Sequence, residues 1–486
     1  MRTIVWYRGK DLRISDHAPL GDAIETGEVI PLFVLDPYFF APARAREVPN
    51  RMQFLLDSLR ALEGNLAERG SRLVVVAGKS VEVVPRLRRE WKVDRVVAQR
   101  WVEPFARERD RRICEALGAR FELYEGETLL PPGTLRTGVG NPYSVFSQFS
   151  RVFHETAIIG KPLRTPRVLP PVPKDIRAHA TTIPTCEELG IPRNEAILPG
   201  GEQAAKARLR RFLRSAAAVY PEHRDRMDLA GTSRLSADLK FGTLSVRQVW
   251  SAVAKALDGT RAARSFLNEL VWREFTHTTL WDRPELLEKP FRPAFVGFPW
   301  KYDDALWQAW VLGQTGVPLV DASARQLLGE GFVHNRARMI AASFLTKHLL
   351  IDYRRGEAHY MKYLTDGDWA QNNAGWQWSA GCGCDAQPYF RIFNPVTQGK
   401  KFDPEGNYVR RWVPELGQMP ARYIHHPWEA PDAVLRAAGV QLGETYPRPV
   451  VEHRFARERF LALAAQHLKR RVGSAAAPRH RASTTS

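Results

Sequence analysis

The chain has 486 residues, 44% of them hydrophobic and 26% charged, which is typical of a globular protein with two or three domains. Its formal net charge of +18 favours a polyanionic partner, either nucleic acid or an anionic membrane surface, although an ordinary solvated basic surface explains the charge equally well. Because the four cysteines lack zinc-ligand spacing, no signal peptide is visible and no apolar run approaches the roughly 18 residues of a membrane span, we expect a cytoplasmic protein without a metal site.

The first 130 residues alternate short apolar runs with amphipathic stretches. Strands are predicted over 3–8, 29–36, 71–78, 94–101 and 119–127, and a helix over 50–70. This alternation is typical of βαβ units, so we predict an α/β domain with a parallel sheet over residues 1–130. The first strand continues into RGKDLRISD, residues 8–16, which has no G-x-G-x-x-G motif and therefore argues against a conventional Rossmann NAD site.

The character of the chain changes after this domain. Prolines crowd residues 131–201 and predict a long interdomain linker. Helical patterns dominate residues 202–470, most clearly over 266–281 and 337–364, and predict a mainly α-helical second domain. The remaining residues, 471–486, are basic, small and polar, so we expect them to be disordered.

Several motifs carry groups that could bind a ligand. In GTSRLSADLKFG, residues 231–242, three hydroxyls, Arg234 and the start of a helix could bind a pyrophosphate, although helix capping is the commoner use of such hydroxyls. Two predicted helices each place three side chains on one face. These are Glu269, Trp272 and Arg273 on the first helix, and Asn335, Arg338 and Met339 on the second. Each trio could line a ligand pocket or belong to an ordinary amphipathic helix with ion pairs.

The segment DGDWAQNNAGWQW, residues 366–378, combines three tryptophans with two carboxylates and two asparagines. A hydrophobic core explains one or two of the indoles. It explains the acids and amides less well, because buried polar groups need hydrogen-bond partners. A planar heterocycle with several ring nitrogens and carbonyls would satisfy both kinds of side chain.

Together, and in this order, these motifs and DAQPYFRIFNPVTQGKKFD, residues 385–403, resemble the photolyase/cryptochrome family. The resemblance runs from about residue 2 to 465 and is strongest to bacterial class I DNA photolyases that repair cyclobutane pyrimidine dimers. It implies an α/β antenna domain joined by a long linker to a helical FAD-binding domain. The implied activity is that of a deoxyribodipyrimidine photo-lyase, a light-driven carbon–carbon lyase.

The resemblance also implies roles for single residues. Reduced FAD, as FADH⁻, would be held by Tyr220, Thr232, Ser233, Arg234, Leu235, Ser236, Arg273, Arg338, Asp366, Gly367, Asp368 and Asn372. The flipped-out dimer and its DNA would contact Glu269, Trp272, Arg273, Asn335, Arg336, Met339, Trp378 and Gln398. In these sets Arg338 would pair with Asp366, Asn372 would lie against flavin N5, and Glu269 would hydrogen-bond a thymine carbonyl.

The family reduces its flavin with light through a relay of three tryptophans. Trp376 and Trp300 match the inner and outer positions, but Tyr353 stands at the middle one. A tyrosine normally loses its phenolic proton when it is oxidised, so we hypothesise that Trp369 reroutes or supplements the relay. The hypothesis is wrong if Trp369→Phe leaves light-driven FAD reduction unchanged while Tyr353→Phe abolishes it.

The second chromophore and the alternatives to repair are open at this level. Phe105 and Ala106 stand where folate-binding members carry an Asn-Glu pair, so we favour 8-hydroxy-5-deazaflavin over methenyltetrahydrofolate, with an empty antenna site as a third case. The partner would be DNA that contains pyrimidine dimers, and the protein a monomer. The alternatives are a cryptochrome-type blue-light photoreceptor, a (6-4) photolyase, a flavin oxidoreductase that works without light, and a purely DNA-binding basic protein. His334 followed by Asn335 and Met339 fits the cyclobutane enzyme better than the (6-4) enzyme.

Overall fold

The computed structural model describes residues 1–176, 181–385 and 391–475, with the backbone alone for 469–475. Part of the DAQPYFRIF motif, residues 386–390, and residues 476–486 of the predicted tail lie outside the described residues. Packing divides the chain into two compact units. The first comprises Met1–Glu285, Gln326–His334 and Ala358–Asn373, and the second comprises Leu286–Arg325, Asn335–Glu357 and Ala374–Ser486.

The first unit contains a five-stranded parallel sheet in the order β3-β2-β1-β4-β5. Its strands are β1 Arg2–Tyr7, β2 Glu28–Leu35, β3 Val74–Ala77, β4 Arg95–Gln99 and β5 Phe121–Tyr124. Ile4 and Trp6 are buried on one face of β1, and Val5 and Tyr7 are buried on the other. Two covered faces are what an all-parallel sheet requires, so the predicted α/β fold is confirmed.

Among the described residues up to Glu285, twelve α-helices lie in the first unit. They are α1 Ala18–Thr26, α2 Pro37–Phe40, α3 Pro42–Arg46, α4 Pro49–Ala67, α5 Ser80–Glu90, α6 Pro104–Leu117, α7 Phe146–Thr156, α8 Glu202–Ser215, α9 Tyr220–His223, α10 Ser236–Phe241, α11 Val246–Ala256 and α12 Arg261–Asp282. The predicted helix over 50–70 is confirmed as α4, and the one over 266–281 as the last part of α12. The proline-rich segment is not entirely irregular, because Phe146, Phe149 and Phe153 form the buried face of α7.

The loop after β1, residues 8–17, is buried along its whole length and fastens helices to the sheet. At the start of α8, the Glu202 carboxylate accepts a hydrogen bond from the backbone amide of Ile14 at 2.8 Å. At the end of α10, Gly242 has a φ of 60°, and a Cβ there would lie 1.9 Å from the carbonyl oxygen of Lys10. Only glycine fits that approach. The loop over residues 8–17, which has no dinucleotide-binding motif, therefore has a structural role in packing helices against the sheet.

The remaining α-helices follow residue 303. They are α13 Asp304–Leu312, α14 Pro318–Glu330, α15 Asn335–Ser343, α16 Tyr353–Tyr363, α17 Trp369–Ala380, α18 Pro395–Phe402, α19 Asn407–Trp412, α20 Ala421–Ile424, α21 Asp432–Ala437 and α22 His453–Ala475. This content confirms the mainly helical C-terminal region. Among the helices that the structure describes, none is long and apolar enough to cross a membrane.

Two expectations for this region need correction or extension. The helical pattern over 337–364 is confirmed but is divided, because a π-helical turn at Phe344–His348 follows α15 and α16 begins only at Tyr353. Leu350 has a left-handed φ of 59°, and Asp352 then accepts the amide of Arg354 at 3.0 Å, which caps the new helix. Helix α22 also runs to Ala475, past the expected end at 470. The domain boundaries at 130, 201 and 470 stay predictions.

Candidate functional site

The trio on α12 does not act as one face in the structure. Glu269 pairs with Arg224 at 2.7 Å, and its side chain is 29% exposed. Burial raises the pKa of the Glu269 carboxyl, although Arg224 pulls it the other way. Trp272 instead stacks on Phe146 of α7, with ring centroids 3.5 Å apart and planes 9° apart. Glu269 is therefore an ion-paired acid, and Trp272 is an indole held by a stacked ring.

Arg273, the third member, reaches away from both of them. Its Nη1 donates to the backbone carbonyl of Glu127 at 2.6 Å, and the side chain is buried. Its Nε is also buried and has no hydrogen-bond partner among the residues that the structure describes. A guanidinium N–H without a partner fits an anionic group such as a phosphate, as the resemblance implies for FAD.

The TSRLS motif precedes the short helix α10. Leu235 stands at the N-cap without a side-chain hydrogen bond, so neither Thr232 nor Ser236 caps the helix. The Ser233 hydroxyl accepts the Leu235 amide at a weak 3.4 Å. The capping alternative is thus not realised, and these hydroxyls remain suitable for a ligand.

Two further members of the predicted FAD set are held by protein groups. The Arg234 guanidinium lies 3.7 Å from the centroid of the Phe332 ring and 3.5 Å from the Glu330 carboxylate. Tyr220 is buried in the core of the first unit and meets Phe266 edge-on at 5.1 Å. Burial raises the pKa of the Tyr220 phenol, so this side chain stays neutral.

A buried ionic cluster surrounds Asp368. The Lys10 ammonium contacts Glu127, lies 2.9 Å from Glu103 and lies 3.3 Å from Asp368. His277 Nε2 is 3.6 Å from both Glu127 and Asp368. Glu127, His277 and Asp368 could in principle ligate a metal, since their ligand atoms lie within 4.8 Å of one another. The Lys10 ammonium already supplies the positive charge between these carboxylates, so we assign the cluster as an ion-pair network.

The charges of this cluster hold each other in their ionised forms. Burial opposes the charge on Lys10, but Glu103, Glu127 and Asp368 raise the pKa of its ammonium. Burial likewise works to raise the pKa values of Glu127 and Asp368, yet Lys10 and His277 outweigh it and lower both. The pKa of His277 is raised, since the two carboxylates overcome burial and the repulsion from Arg273.

The start of α17 is fixed by this cluster. Asp366 and Asp368 are 9% and 2% exposed, and the Asp368 carboxylate accepts the amide of Gln371 at 3.1 Å as a helix cap. Arg51 donates to the backbone carbonyl of Gly367 at 3.3 Å, and burial lowers the pKa of this arginine to about 10. Asn372 is half-buried, and Trp369 is 40% exposed. Both acids predicted to contact the flavin are therefore buried, and Asp368 is held by Lys10, His277 and the Gln371 amide.

The second unit carries the aromatic residues of the predicted relay. Trp376 is buried, and its ring packs against Trp310 with centroids 6.0 Å apart. Tyr353 is buried and meets the half-buried Trp300 at 6.5 Å. Burial raises the pKa of the Tyr353 phenol.

The residues predicted to contact DNA in this unit are more accessible. Asn335 is exposed and its Nδ2 lies 3.8 Å from Met339 Sδ, while Arg336 lies over the Phe402 ring at 4.6 Å. Arg336, Arg338, Met339, Trp378 and Gln398 are all half-buried. Neighbouring side chains brace such groups while part of each contacts solvent, as a macromolecular substrate requires.

The antenna positions lie beside a compact aromatic group in the first unit. Phe105 stacks on Tyr38 at 4.0 Å, with an angle of 10° between the rings, and meets Phe39 edge-on at 5.6 Å. Ala106 is buried. This pair is therefore apolar in its surroundings as well as in its sequence.

Comparison with known proteins identifies the fold and the family. Residues 3–170 match the DNA photolyase family model, and residues 266–466 match the FAD binding domain of DNA photolyase. A deoxyribodipyrimidine photo-lyase from Agrobacterium fabrum is 41% identical over 472 residues, which cover 94% of this chain and 96% of that protein. The chain belongs to the photolyase/cryptochrome family. It is an enzyme of the deoxyribodipyrimidine photo-lyase type and a flavoprotein of DNA repair.

Two solved structures share the fold over nearly their whole length. A bacterial class III photolyase from Agrobacterium tumefaciens has a TM-score of 0.90 and 39% identity, with coverage of 96% of this chain and 98% of that one. A cryptochrome from Synechocystis sp. PCC6803 has a TM-score of 0.88 and 31% identity, with coverage of 95% and 99%. The place of this photolyase in class I therefore stays a prediction within a confirmed family.

The structure also adds residues that the sequence patterns missed. Lys10, His277, Arg224 and Phe146 each contact a predicted site residue from a distant part of the chain. Arg224 and His277 each offered a local signal, since they lie one helical turn after the predicted Tyr220 and Arg273. Lys10 and Phe146 had none, because nothing in a buried loop or a linker marks which residue it will meet.

Proposed function

We propose that this enzyme repairs cyclobutane pyrimidine dimers in DNA by light-driven electron transfer from reduced FAD to a flipped-out dimer. The observation that carries the proposal is the start of α17, where Asp366 and Asp368 are buried and Asp368 is held ionised by Lys10 and His277. Charges fixed inside the protein need no rearrangement when a cofactor binds. Arg273, with a buried donor left for a phosphate, supports a FAD in the same unit.

The protein would bind and orient the groups that react. Arg273, with the Thr232 and Ser236 hydroxyls, would hold the FAD phosphates, and Arg338 would pair with Asp366. Asp368 and Asn372 would contact the ribityl and isoalloxazine region. When bound, reduced FAD supplies the electron that opens the cyclobutane ring, and the electron then returns.

The substrate side of the proposal depends on two kinds of contact. Trp272, braced by Phe146, and Trp378 would stack on the dimer after it leaves the duplex, which costs less for a damaged base than for a paired one. Glu269, whose pKa is raised by burial, would share its proton with a thymine carbonyl as negative charge develops there. Asn335, Met339 and Gln398 would contact the DNA around the lesion.

The finer properties follow from the same resemblance. The net charge of +18 would bind DNA phosphates, so affinity should fall as salt rises. We propose a cytoplasmic monomer. We also propose 8-hydroxy-5-deazaflavin as the second chromophore, supported by the apolar Phe105–Tyr38 stack where folate-binding members carry polar residues.

Two optical measurements test the proposal. The purified protein should show flavin absorption, and its reduced form should restore the thymine absorbance of ultraviolet-irradiated oligothymidylate under blue light but not in the dark. A yellow protein that never restores this absorbance would favour the photoreceptor alternative, which the similarity to the Synechocystis cryptochrome keeps open. Turnover of NADH in the dark would instead favour a flavin oxidoreductase.

A further inference from the structure

A second row of indoles leads from Trp376 to the surface of the second unit. Trp376 packs against Trp310, and Trp310 stacks on Trp307 with centroids 5.6 Å apart and planes 25° apart. We propose that Trp376, Trp310 and Trp307, and not Tyr353, form the path by which electrons reach the flavin during light-driven reduction. This inference rests on the proposed function, since it requires FAD beside Trp376.

The burial of the three indoles is graded along the row. Trp376 and Trp310 are 3% and 2% exposed, whereas Trp307 is half-buried. Trp307 and Trp310 stand at i and i+3 on α13 and therefore share one face of that helix. Trp310 is held in orientation because its indole Nε1 donates to the backbone carbonyl of Ala341 at 3.2 Å. The row thus offers two fixed internal rings and one that contacts solvent.

The path through Tyr353 has a chemical obstacle. This side chain is 3% exposed, and burial raises the pKa of its phenol, so the hydroxyl holds its proton more tightly than a free tyrosine does. A tyrosine that loses an electron must also release its phenolic proton, and an acceptor in hydrogen-bond contact is needed for that. An indole can carry the positive charge without releasing a proton at once. The all-indole row avoids the obstacle that Tyr353 presents.

The electrons and protons of the proposed path balance as follows. Trp376 would give one electron to light-excited oxidised FAD and would be restored by one electron from Trp310, which in turn would take one from Trp307. The oxidised Trp307 indole then releases its N–H proton to water, and a thiol reductant in solution returns a hydrogen atom to it. The thiol is oxidised, the flavin is reduced by one electron, and each tryptophan is restored.

Arg355, a neighbour of Trp307, opposes the oxidation of this indole and can be used to probe it. The Arg355 guanidinium lies 4.5 Å from the centroid of the Trp307 ring and pairs with Asp304 at 2.9 Å. A cation over an indole stabilises the neutral ring and opposes positive charge on it. Removing that cation should therefore favour oxidation of Trp307.

The experiment follows light-driven flavin reduction and its radicals in the full-length holoprotein. In the presence of a thiol, Trp307→Phe and Trp310→Phe should each slow reduction at least about tenfold, and more than Tyr353→Phe does. Arg355→Gln should increase the rate at which Trp307 is oxidised by the Trp310 radical. Trp250→Phe, which removes another half-buried indole from the first unit, is the matched control and should leave the rate unchanged. Transient absorption should show a tryptophanyl radical that added thiol quenches.

Each contrary result has a defined meaning. The path is wrong if light reduces the flavin of Trp307→Phe as fast as that of the wild type. It is also wrong if Tyr353→Phe is the variant that blocks reduction, or if a tyrosyl radical forms. If only Trp369→Phe loses light-driven reduction, the path runs through Trp369 and this proposal is overturned. The proposal is also overturned if light does not reduce the flavin of the wild-type protein. Near-ultraviolet circular dichroism of the FAD-free protein should change in Trp307→Phe, because stacked indoles couple. Repair by chemically reduced wild type tests the proposed function separately, since it bypasses the path.

Discussion

The two units use their buried volume differently. Around Asp368 the first unit gathers Lys10, which contacts three carboxylates, and His277, which lies 3.6 Å from two of them. Around Trp376 the second unit buries stacked and edge-on aromatic rings. A charged network holds groups in fixed positions at a high cost in desolvation, whereas neighbouring indoles can pass an electron with little movement. Under the proposals made above, the charged network would serve cofactor binding and the indole row would serve electron supply.

The largest effect should come from removing the central cation of the ionic cluster. Lys10→Met would leave the buried Glu127 and Asp368, and the half-buried Glu103, without their ammonium partner, and should lower the free energy of unfolding by about 3–5 kcal/mol. Urea unfolding measures this. The matched control is Lys79→Met, which removes an exposed partner of Glu82 and should have little effect. Equal losses in both variants would contradict a special role for the cluster.

A smaller effect, on the rate of repair, is expected when Glu269 of α12 is replaced. Glu269→Gln keeps a hydrogen-bonding group but loses the shareable proton, so the repair rate under saturating light should fall by up to about tenfold. FAD content should stay normal. Repair at the wild-type rate would show that Glu269 only pairs with Arg224.

The aromatic brace of Trp272 should matter less again. Phe146→Leu preserves an apolar side chain in the buried position but removes the stacked ring, which is worth about 0.5–1.5 kcal/mol. We expect weaker binding of dimer-containing DNA, measured by titration. Phe153→Leu, on the same buried face of α7, is the control. Equal weakening in both variants would indicate a general loss of packing.

The smallest expected effect is a pH dependence of the free energy of unfolding that comes from His277. Its pKa is raised in the folded protein, so its contribution to stability is fully present below the unfolded value of about 6.5 and is lost as pH rises through the folded value. The free energy of unfolding should therefore decline with pH above about 6.5 by more in the wild type than in His277→Gln. His154→Gln, at an exposed histidine, is the control. Identical pH profiles for the wild type and His277→Gln would mean that the buried imidazole is not charged.

Local patterns predicted much of this fold. The strands and α4 follow from apolar spacing within a few residues, and the polar composition around Asp366 and Asp368 correctly indicated buried groups with strong partners. The sequence could not predict which partners these groups have, because Lys10 and Asp368 are 358 residues apart and no local pattern links them. The break after α15 was missed because Leu350 adopts a left-handed conformation without a nearby glycine or proline to signal it. The indoles of α13 were visible in the sequence, but the contact of Trp310 with Trp376 was not.

The most direct measurement follows single lesions to products. An oligonucleotide with one thymine cyclobutane dimer, and another with one (6-4) photoproduct, are each mixed with chemically reduced holoprotein in blue light and in the dark, and the products are separated by chromatography. We predict that only the cyclobutane dimer in the light is converted to two intact thymines. Conversion of the (6-4) photoproduct instead, or no light-dependent conversion of either lesion, would contradict light-driven repair of cyclobutane dimers.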